Sequence, residues 1–568
     1  MQIRSSLRRP VLLALSLLSA CAAADPSSNA TSSPPAAQRR ATPTEPAGAA
    51  AAFLTARHAA GLGDNDYAAQ QFLRALRADP GNPELRQQAF ITSLLAGRPE
   101  ALRLAQMMPD DQAALLLLGG ADAKNGRWEQ AETRFAGMPR QGLAQVLQPL
   151  LVAWSQAGEG RTDVALATLA ASPEAQRFKA LFTLQGALIA DLGRKTPEAT
   201  RLYRAAVAEL GGTDLQLARQ VASWQMRQGF TADAKQTLAT LALASPDLAL
   251  VATRLEATIG ERQIRNGADG IAEVYLTLAA ALRQQERAAF SPILVHLALD
   301  LRPDFTAARL LGADLYESRG KLDLAVRMLA PITAADPLAP LARLRQAALA
   351  DKLGNTADAL RQLEQLAQEM PDRPEFPTAQ GDLLRQKKRF TEASAAYDRA
   401  VALLPQPPLR ANWPLYYNRG IALDRARQWA RAEADFMTAL ELQPEQPFVL
   451  NYLGYSWVEQ GRNLGRAREM LERAVLLRPN DGAIADSLGW ALFRQGDAKG
   501  ALKYMERAVE LDPTDATITA HLGDIYWAIG RKLEAQFQWR RALILSPDED
   551  DIPKLQTKLR DAGDASTP

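Results

Sequence analysis

Four glycines, Gly420, Gly454, Gly489 and Gly523, stand 34, 35 and 34 residues apart, and other small residues follow them in phase. Each unit continues with one alanine (Ala432, Ala467, Ala501, Ala535) and then a second (Ala439, Ala474, Ala508, Ala542). A proline closes it: Pro444, Pro479, Pro513, Pro547. Three residue types repeating in register four times describe one supersecondary unit copied along the chain. Units of this length cannot bury their apolar faces alone, so they stack in a line.

The unit from Ala483 to Pro513 shows how. Leu488, Gly489 and Leu492 recur at helical spacing and put one stripe of a first helix inward. Gly489, Ala501 and Ala508 let two helix backbones approach closely, while Met505 and Val509 fill the remaining space. Gly496-Asp497 makes the turn between the helices, and Asp512-Pro513 stops the second one. The 35-residue spacing implies one extra residue in the turn around Asn463-Leu464, where a loop absorbs it at little cost.

This pattern resembles the tetratricopeptide repeat (TPR). The resemblance implies an all-α fold, a right-handed superhelical solenoid of helix hairpins, and protein binding as its usual work. Gly381, Ala393, Tyr397, Ala400 and Pro405 keep the same offsets, with an insert at Gln406-Pro407-Pro408-Leu409-Arg410 before Gly420. Gly312 with Ala325 and Pro337, and Ala279 with Ala298 and Pro303, are degenerate units. Earlier still come Ala56, Ala68, Phe72, Ala75 and Pro80, then Gly119 with Ala131 and Phe135, and Ala222 with Ala234 and Pro246. The helical pattern breaks between Ile259 and Gly270, which we read as the boundary between two halves. The expected organisation is a signal segment 1–20, a tether 21–50, TPR-like repeats 51–260, a TPR array 271–547 and a capping helix and tail 548–568. In that last segment Asp548-Glu549-Asp550-Asp551 favours a helix start.

The N-terminus reads as an export signal. Arg4, Arg8 and Arg9 precede an apolar run from Val11 to Leu18 that is too short to span a bilayer. Leu18-Ser19-Ala20-Cys21 resembles the bacterial lipoprotein processing box, and Cys21 is the chain's single cysteine, so no intramolecular disulfide forms. The resemblance implies acylation of Cys21, a stable anchor, and, with Ala22 rather than aspartate following, the periplasmic side of a Gram-negative outer membrane. Residues 22 to about 50 are rich in Ala, Ser, Pro and Thr and cannot bury a core. As coil they would reach on the order of 30 Å from the membrane.

Lys and Arg number 66 against 64 Asp and Glu; loss of Arg4, Arg8 and Arg9 with the signal leaves 63 against 64. That balance gives no case for nucleic-acid binding and predicts weak salt dependence of partner binding. His58, His296 and His521 lie more than 200 residues apart, without metal-ligand spacing. No phosphate loop or complete dinucleotide motif occurs. Neither catalytic residues nor a cofactor is expected.

What remains is a binding surface. In such a repeat the first helix lines the concave face, with its stripe rotated by about 100° from the core stripe. The core stripe takes Leu423, Trp457, Leu492 and Tyr526. The groove stripe takes Tyr417, Asn451, Tyr455, Asp486, Trp490, Phe493, Asp524 and Trp527. The lysine, asparagine and arginine clamp by which some TPR domains hold a terminal carboxylate is absent. Tyr417, Ile421, Tyr452, Ala483 and Ser487 stand in its places.

Leu453-Gly454-Tyr455 and Asp486-Ser487-Leu488-Gly489-Trp490, with the lipoprotein box, resemble the outer-membrane lipoproteins that partner carboxyl-terminal processing proteases. That resemblance implies an adaptor delivering peptidoglycan hydrolases to a periplasmic protease. The alternative within the same architecture is an assembly factor for an outer-membrane machine, pilotin-like or a polysaccharide-export scaffold.

Overall fold

The computed structural model describes residues 48–210, 215–244, 246–283 and 288–564. The signal segment, Cys21 and the tether as far as residue 47 lie outside the described residues. Among the described residues the regular structure is entirely helical, and most helices pair with their chain neighbour as antiparallel hairpins. Contacts divide the chain into two compact units, one ending at Gln362 and the other beginning at Leu363.

The second unit is built by one packing rule. Its hairpins pair the first helices Glu375–Gln386, Trp413–Arg425, Pro447–Glu459, Gly482–Arg494 and Ala516–Ala528 with second helices Phe390–Ala402, Trp429–Leu442, Leu464–Leu477, Ala498–Leu511 and Lys532–Ile544. In each, a bulky side chain of the second helix sits where the first helix's glycine lacks a Cβ. A methyl on Gly381 would lie 2.5 Å from Tyr397, on Gly420 2.7 Å from Phe436, and on Gly523 2.5 Å from Trp539. On Gly489 it would lie 3.1 Å from Met505. The partner stands 16 residues after the glycine in all four cases. In the Gly454 unit it is Leu471, 17 residues on, at 3.0 Å. The extra residue is Asn463, held at φ 49° just before its helix starts. The turn absorbs the insertion and the knob still reaches its glycine. Ala432, Ala467, Ala501 and Ala535 are fully buried at the same crossings. The helix Ile552–Asp564 packs on the last hairpin through Leu555 and Ala562.

The first unit follows the same rule at Gly119 with Phe135 and at Gly312 with Met328, both at 2.3 Å. It also contains something a uniform array lacks. The break at Ile259–Gly270 lies inside this unit and leads into the helix Gly267–Leu282, which is buried on every side. Asn266 caps it by accepting from the Asp269 amide at 2.9 Å, and Asp269 in turn accepts from the Arg265 amide at 2.9 Å. Gly267 and Gly270 lie against Gly158 and Trp154, and the Tyr275 hydroxyl donates to the Leu116 carbonyl at 3.1 Å. The next helix, Ser291–Leu301, continues the contact, with Leu301 3.5 Å from the Cβ position of Gly120. Gln112–Lys124 and Ala144–Gly158 are the first helices of their hairpins, so this unit's inner face is filled by its own chain.

Two glycine substitutions separate close packing from helix propensity. A methyl on Gly270 would meet the Trp154 ring at 2.2 Å. That ring is fully buried and pinned by its donation to Gln185 at 2.8 Å. Gly270→Ala should destabilise the first unit by about 1–3 kcal/mol. Gly465 is helical and exposed with nothing near its Cβ position, so Gly465→Ala should stabilise the second unit by up to about 1 kcal/mol. Calorimetry with hydrogen exchange resolved by unit checks both signs.

Candidate protein-binding surface

The core stripe of the second unit lies inside. Leu423, Trp457, Leu492 and Tyr526 are buried, and so is Trp539. The neighbouring stripe is half-buried at Tyr417, Asn451, Tyr455, Trp490, Phe493, Asp524 and Trp527, while Asp486 is buried. These residues fall into three groups.

Tyr417 belongs to an aromatic cluster with Trp413, Phe436 and Tyr452, its ring meeting Tyr452 edge-on at 6.2 Å. Burial pushes its hydroxyl up to about 12. Tyr452 is tied down by donating to Asp424 at 2.9 Å.

Tyr455, Asp486, Trp490 and Phe493 come together around the Gly454 and Gly489 units, with Asn451 one helical turn before Tyr455. Trp490 bridges three first helices. Its Nε1 donates to Glu459 at 2.7 Å, and its ring stacks on His521 with centroids 3.9 Å apart and planes 15° apart. Phe493 lies beside it at 5.3 Å, and Arg494 pairs with the same Glu459 oxygen at 3.0 Å. The His521 Nδ1 is 2.9 Å from Asp486. Burial alone would push this imidazole down, but the Asp486 carboxylate outweighs it and the pKa is raised. The Tyr455 hydroxyl is raised by burial first, then by the carboxylates of Glu459, Asp486 and Asp551. The Asn451 Oδ1 is buried and carries no hydrogen bond.

Asp524 and Trp527 are engaged at the end of the array. Asp524 accepts from Trp539 Nε1 at 2.9 Å and from Lys558 of the terminal helix at 2.7 Å. Trp527 packs on Trp539 at 5.3 Å, and the Lys532 ammonium sits 3.5 Å from its ring centroid.

The groove reading missed Glu459, Arg494, Tyr452 and His521. A phase signal existed for all of them: Glu459 and Arg494 both lie five residues after their glycines, and Tyr452 and His521 both lie two before. The other histidines are apart from this surface. His58 is exposed, and His296 is within 2.9 Å of the Tyr316 hydroxyl, with burial pushing it down to about 4. Among the described residues no group of three or more His, Cys, Asp or Glu is placed to hold a metal, and no helix is long and apolar enough to cross a membrane.

The His521–Asp486 pair makes the contact between these two repeats dependent on pH. A raised folded-state pKa gives stability that is fully present below the unfolded value of about 6.5 and is lost as pH rises through the folded value. A protonated imidazole stacked on an indole quenches its emission. Trp490 fluorescence, taken as the difference from Trp490→Phe, should therefore rise with pH at a midpoint above about 6.5. His521→Gln should abolish the transition.

Three sequence models of the tetratricopeptide repeat match the chain. One, described as tetratricopeptide repeat, matches residues 35–83, 417–481 and 459–516; a tetratricopeptide repeat-like domain matches 262–410; another tetratricopeptide repeat matches 492–559. A TPR repeat-containing protein of Pseudomonas aeruginosa is 28% identical over 165 residues, which make up 29% of this chain and 27% of that protein. Tetratricopeptide repeat protein 13 of Homo sapiens is 32% identical over 107 residues, 19% of this chain and 12% of that protein. The chain thus spans less than a third of the length of either relative. The crystal structure of a tetratricopeptide repeat protein from Parabacteroides merdae superposes with a TM-score of 0.37 at 16% identity, covering 45% of this chain and 98% of that one. The segments matched by the repeat models together span more than half of the chain, and this chain is a tetratricopeptide-repeat protein.

Proposed function

We propose that this protein is a membrane-tethered scaffold that holds a partner protein on the concave face of its second unit. Repeats of this family serve as protein-interaction scaffolds. One observation favours the second unit over the first. The inner face of the first is filled by the helix Gly267–Leu282, whereas the second keeps half-buried Tyr455, Trp490 and Phe493 on its first helices. Aromatic side chains that keep part of their surface in water are the usual anchors of protein interfaces.

The tether and its address rest on the sequence. The run Leu18-Ser19-Ala20-Cys21 supports lipidation at Cys21, and the Ala/Ser/Pro-rich stretch behind it supports a spacer. On this reading the scaffold works at the periplasmic side of an outer membrane, bringing cell-wall hydrolases to a carboxyl-terminal processing protease. The local motifs around Gly454 and Gly489 support that pathway.

Tyr455→Ala with Phe493→Ala is the informative pair, because Trp490 also ties three helices together and its loss would disturb the array. The double variant should capture the protease–hydrolase pair at least about tenfold more weakly, with melting little changed. Crosslinked membranes analysed by mass spectrometry should contain that protease; a secretin or polymer-export component in its place would transfer the scaffold to envelope assembly. Cys21→Ser should abolish palmitate labelling and outer-membrane fractionation, and unchanged labelling would remove the anchor.

A further inference from the structure

The last repeat differs from its neighbours on the outer side of its second helix, Lys532–Ile544. Leu533, Phe537 and Ile544 stand in water there, 79%, 62% and 81% exposed. Together with Arg540 they follow at helical spacing, so all four share one narrow face about 16 Å long. The same places hold Lys499, Lys503, Glu506 and Glu510 in the preceding second helix, and Gly465, Glu469, Glu472 and Leu476 in the one before it. None of these is buried, so the position faces outward along the array and is not where the next repeat stacks. Three exposed apolar side chains on one face therefore mark a contact that the array itself does not use.

The charges around the stripe select its occupant. At its N-terminal end the Lys532 ammonium donates to the Trp527 carbonyl at 3.1 Å and lies over that ring, with no carboxylate partner among the described residues. Glu534, the one carboxylate on this helix, is taken by Arg531 at 3.0 Å. In the middle Arg540 donates to the Gln536 amide oxygen at 3.4 Å. Past the C-terminal end the chain runs into Asp548, Glu549 and Asp550, all exposed and, among the described residues, in no ion pair. A stripe that is cationic at one end and anionic at the other complements itself when a second copy lies across it antiparallel. A two-fold axis level with the step from Gln538 to Trp539 sets Leu533 against Ile544 of the other copy. It also sets Phe537 against the other Arg540, a guanidinium on an aromatic face, twice over. The basic end of each copy then meets the acidic end of the other, whereas an anionic lipid surface would be repelled by the acidic end.

We infer that this chain associates with a second copy of itself through the outer face of Lys532–Ile544, the two helices running antiparallel. Three side chains cover less than the roughly 800 Å² per partner of a standard interface, so the charged ends contribute and the pairing weakens with salt. The contact lies on a second helix and does not depend on the first-helix face proposed above for the partner.

Cys21 is the only thiol, so full chains carrying Cys21→Ser accept single reporters. One population carries Leu533→Cys, the other Ile544→Cys, and a short bismaleimide joins thiols that meet. Like positions lie about 16 Å apart along an antiparallel pair, and unlike positions face each other. The mixture should therefore give at least about fivefold more chain dimer on a denaturing gel than either population alone. High salt should lower that yield. Phe537→Asp in both populations should lower it at least about tenfold, with melting little changed because the position is exposed. Glu469→Gln, exposed on an earlier second helix, should leave it unchanged. No dimer from the mixture, equal dimer from each population alone, or a yield indifferent to Phe537→Asp overturns the second copy as occupant. Thiols shielded from maleimide in membranes without a dimer forming, or a crosslink to a different protein, overturn it as well and assign the stripe to lipid or to that protein.

Discussion

The structure depends on a side chain entering the space a glycine leaves open. A helix pair crosses closely only if one backbone presents no Cβ at the crossing, and the partner helix then fills that space with Phe436, Met505 or Trp539. The match fixes the hairpin internally, and the fully buried alanines on the second helix let its backbone close on the glycine. Leu471 shows how firmly the constraint holds. An inserted residue moves the knob one position along the chain, and the left-handed Asn463 takes up the difference so that the knob returns to its glycine.

The same rule gives two units with opposite fates for their inner faces. In the first, the helix Gly267–Leu282, apolar on most of its surface, is buried against the first helices of its own unit, Asp269 and Glu273 with it. Gly270 and Gly267 permit that approach, with the Trp154 ring and the Gly158 backbone on the other side. In the second unit the first helices keep polar and aromatic side chains on the inner face. Neighbouring repeats are linked there by Trp490, His521, Asp486 and Glu459. The side chains that set the angle between repeats therefore stand next to those available to a partner, so binding and repeat geometry are coupled.

That coupling distinguishes residues which look equivalent in sequence. Trp490 and Trp527 both lie on the groove stripe. Trp490 joins three repeats, whereas Trp527 lies on Trp539 beneath the Lys532 ammonium. Asp486 and Asp524 likewise differ. Asp486 raises the pKa of a histidine in the next repeat, and Asp524 fastens the terminal helix through Lys558. Tyr455, Phe493 and Asn451 are left as the positions where recognition can vary without dismantling the array.

The helical hairpin, its turn and its core stripe were legible in the sequence, because each is decided within about 34 residues and repeated until the phase is unmistakable. Leu423, Trp457, Leu492 and Tyr526 are inside for that reason. So is the location of the extra residue at Asn463. Three features were decided only by tertiary structure. The stretch from Ile271 to Leu282, apolar except for Glu273 and Thr277, marks a buried helix, but which face of the first unit receives it depends on contacts to residues such as Leu116 and Trp154, far away in sequence. The ladder of Glu459, Trp490 and His521 joins residues about 31 positions apart that only stacked repeats bring together. The pairing of the inner carboxylates, Glu459 with Arg494, Asp486 with His521 and Asp524 with Lys558, is invisible in net charge, because composition sums over the whole chain and only the fold sets each carboxylate beside its partner.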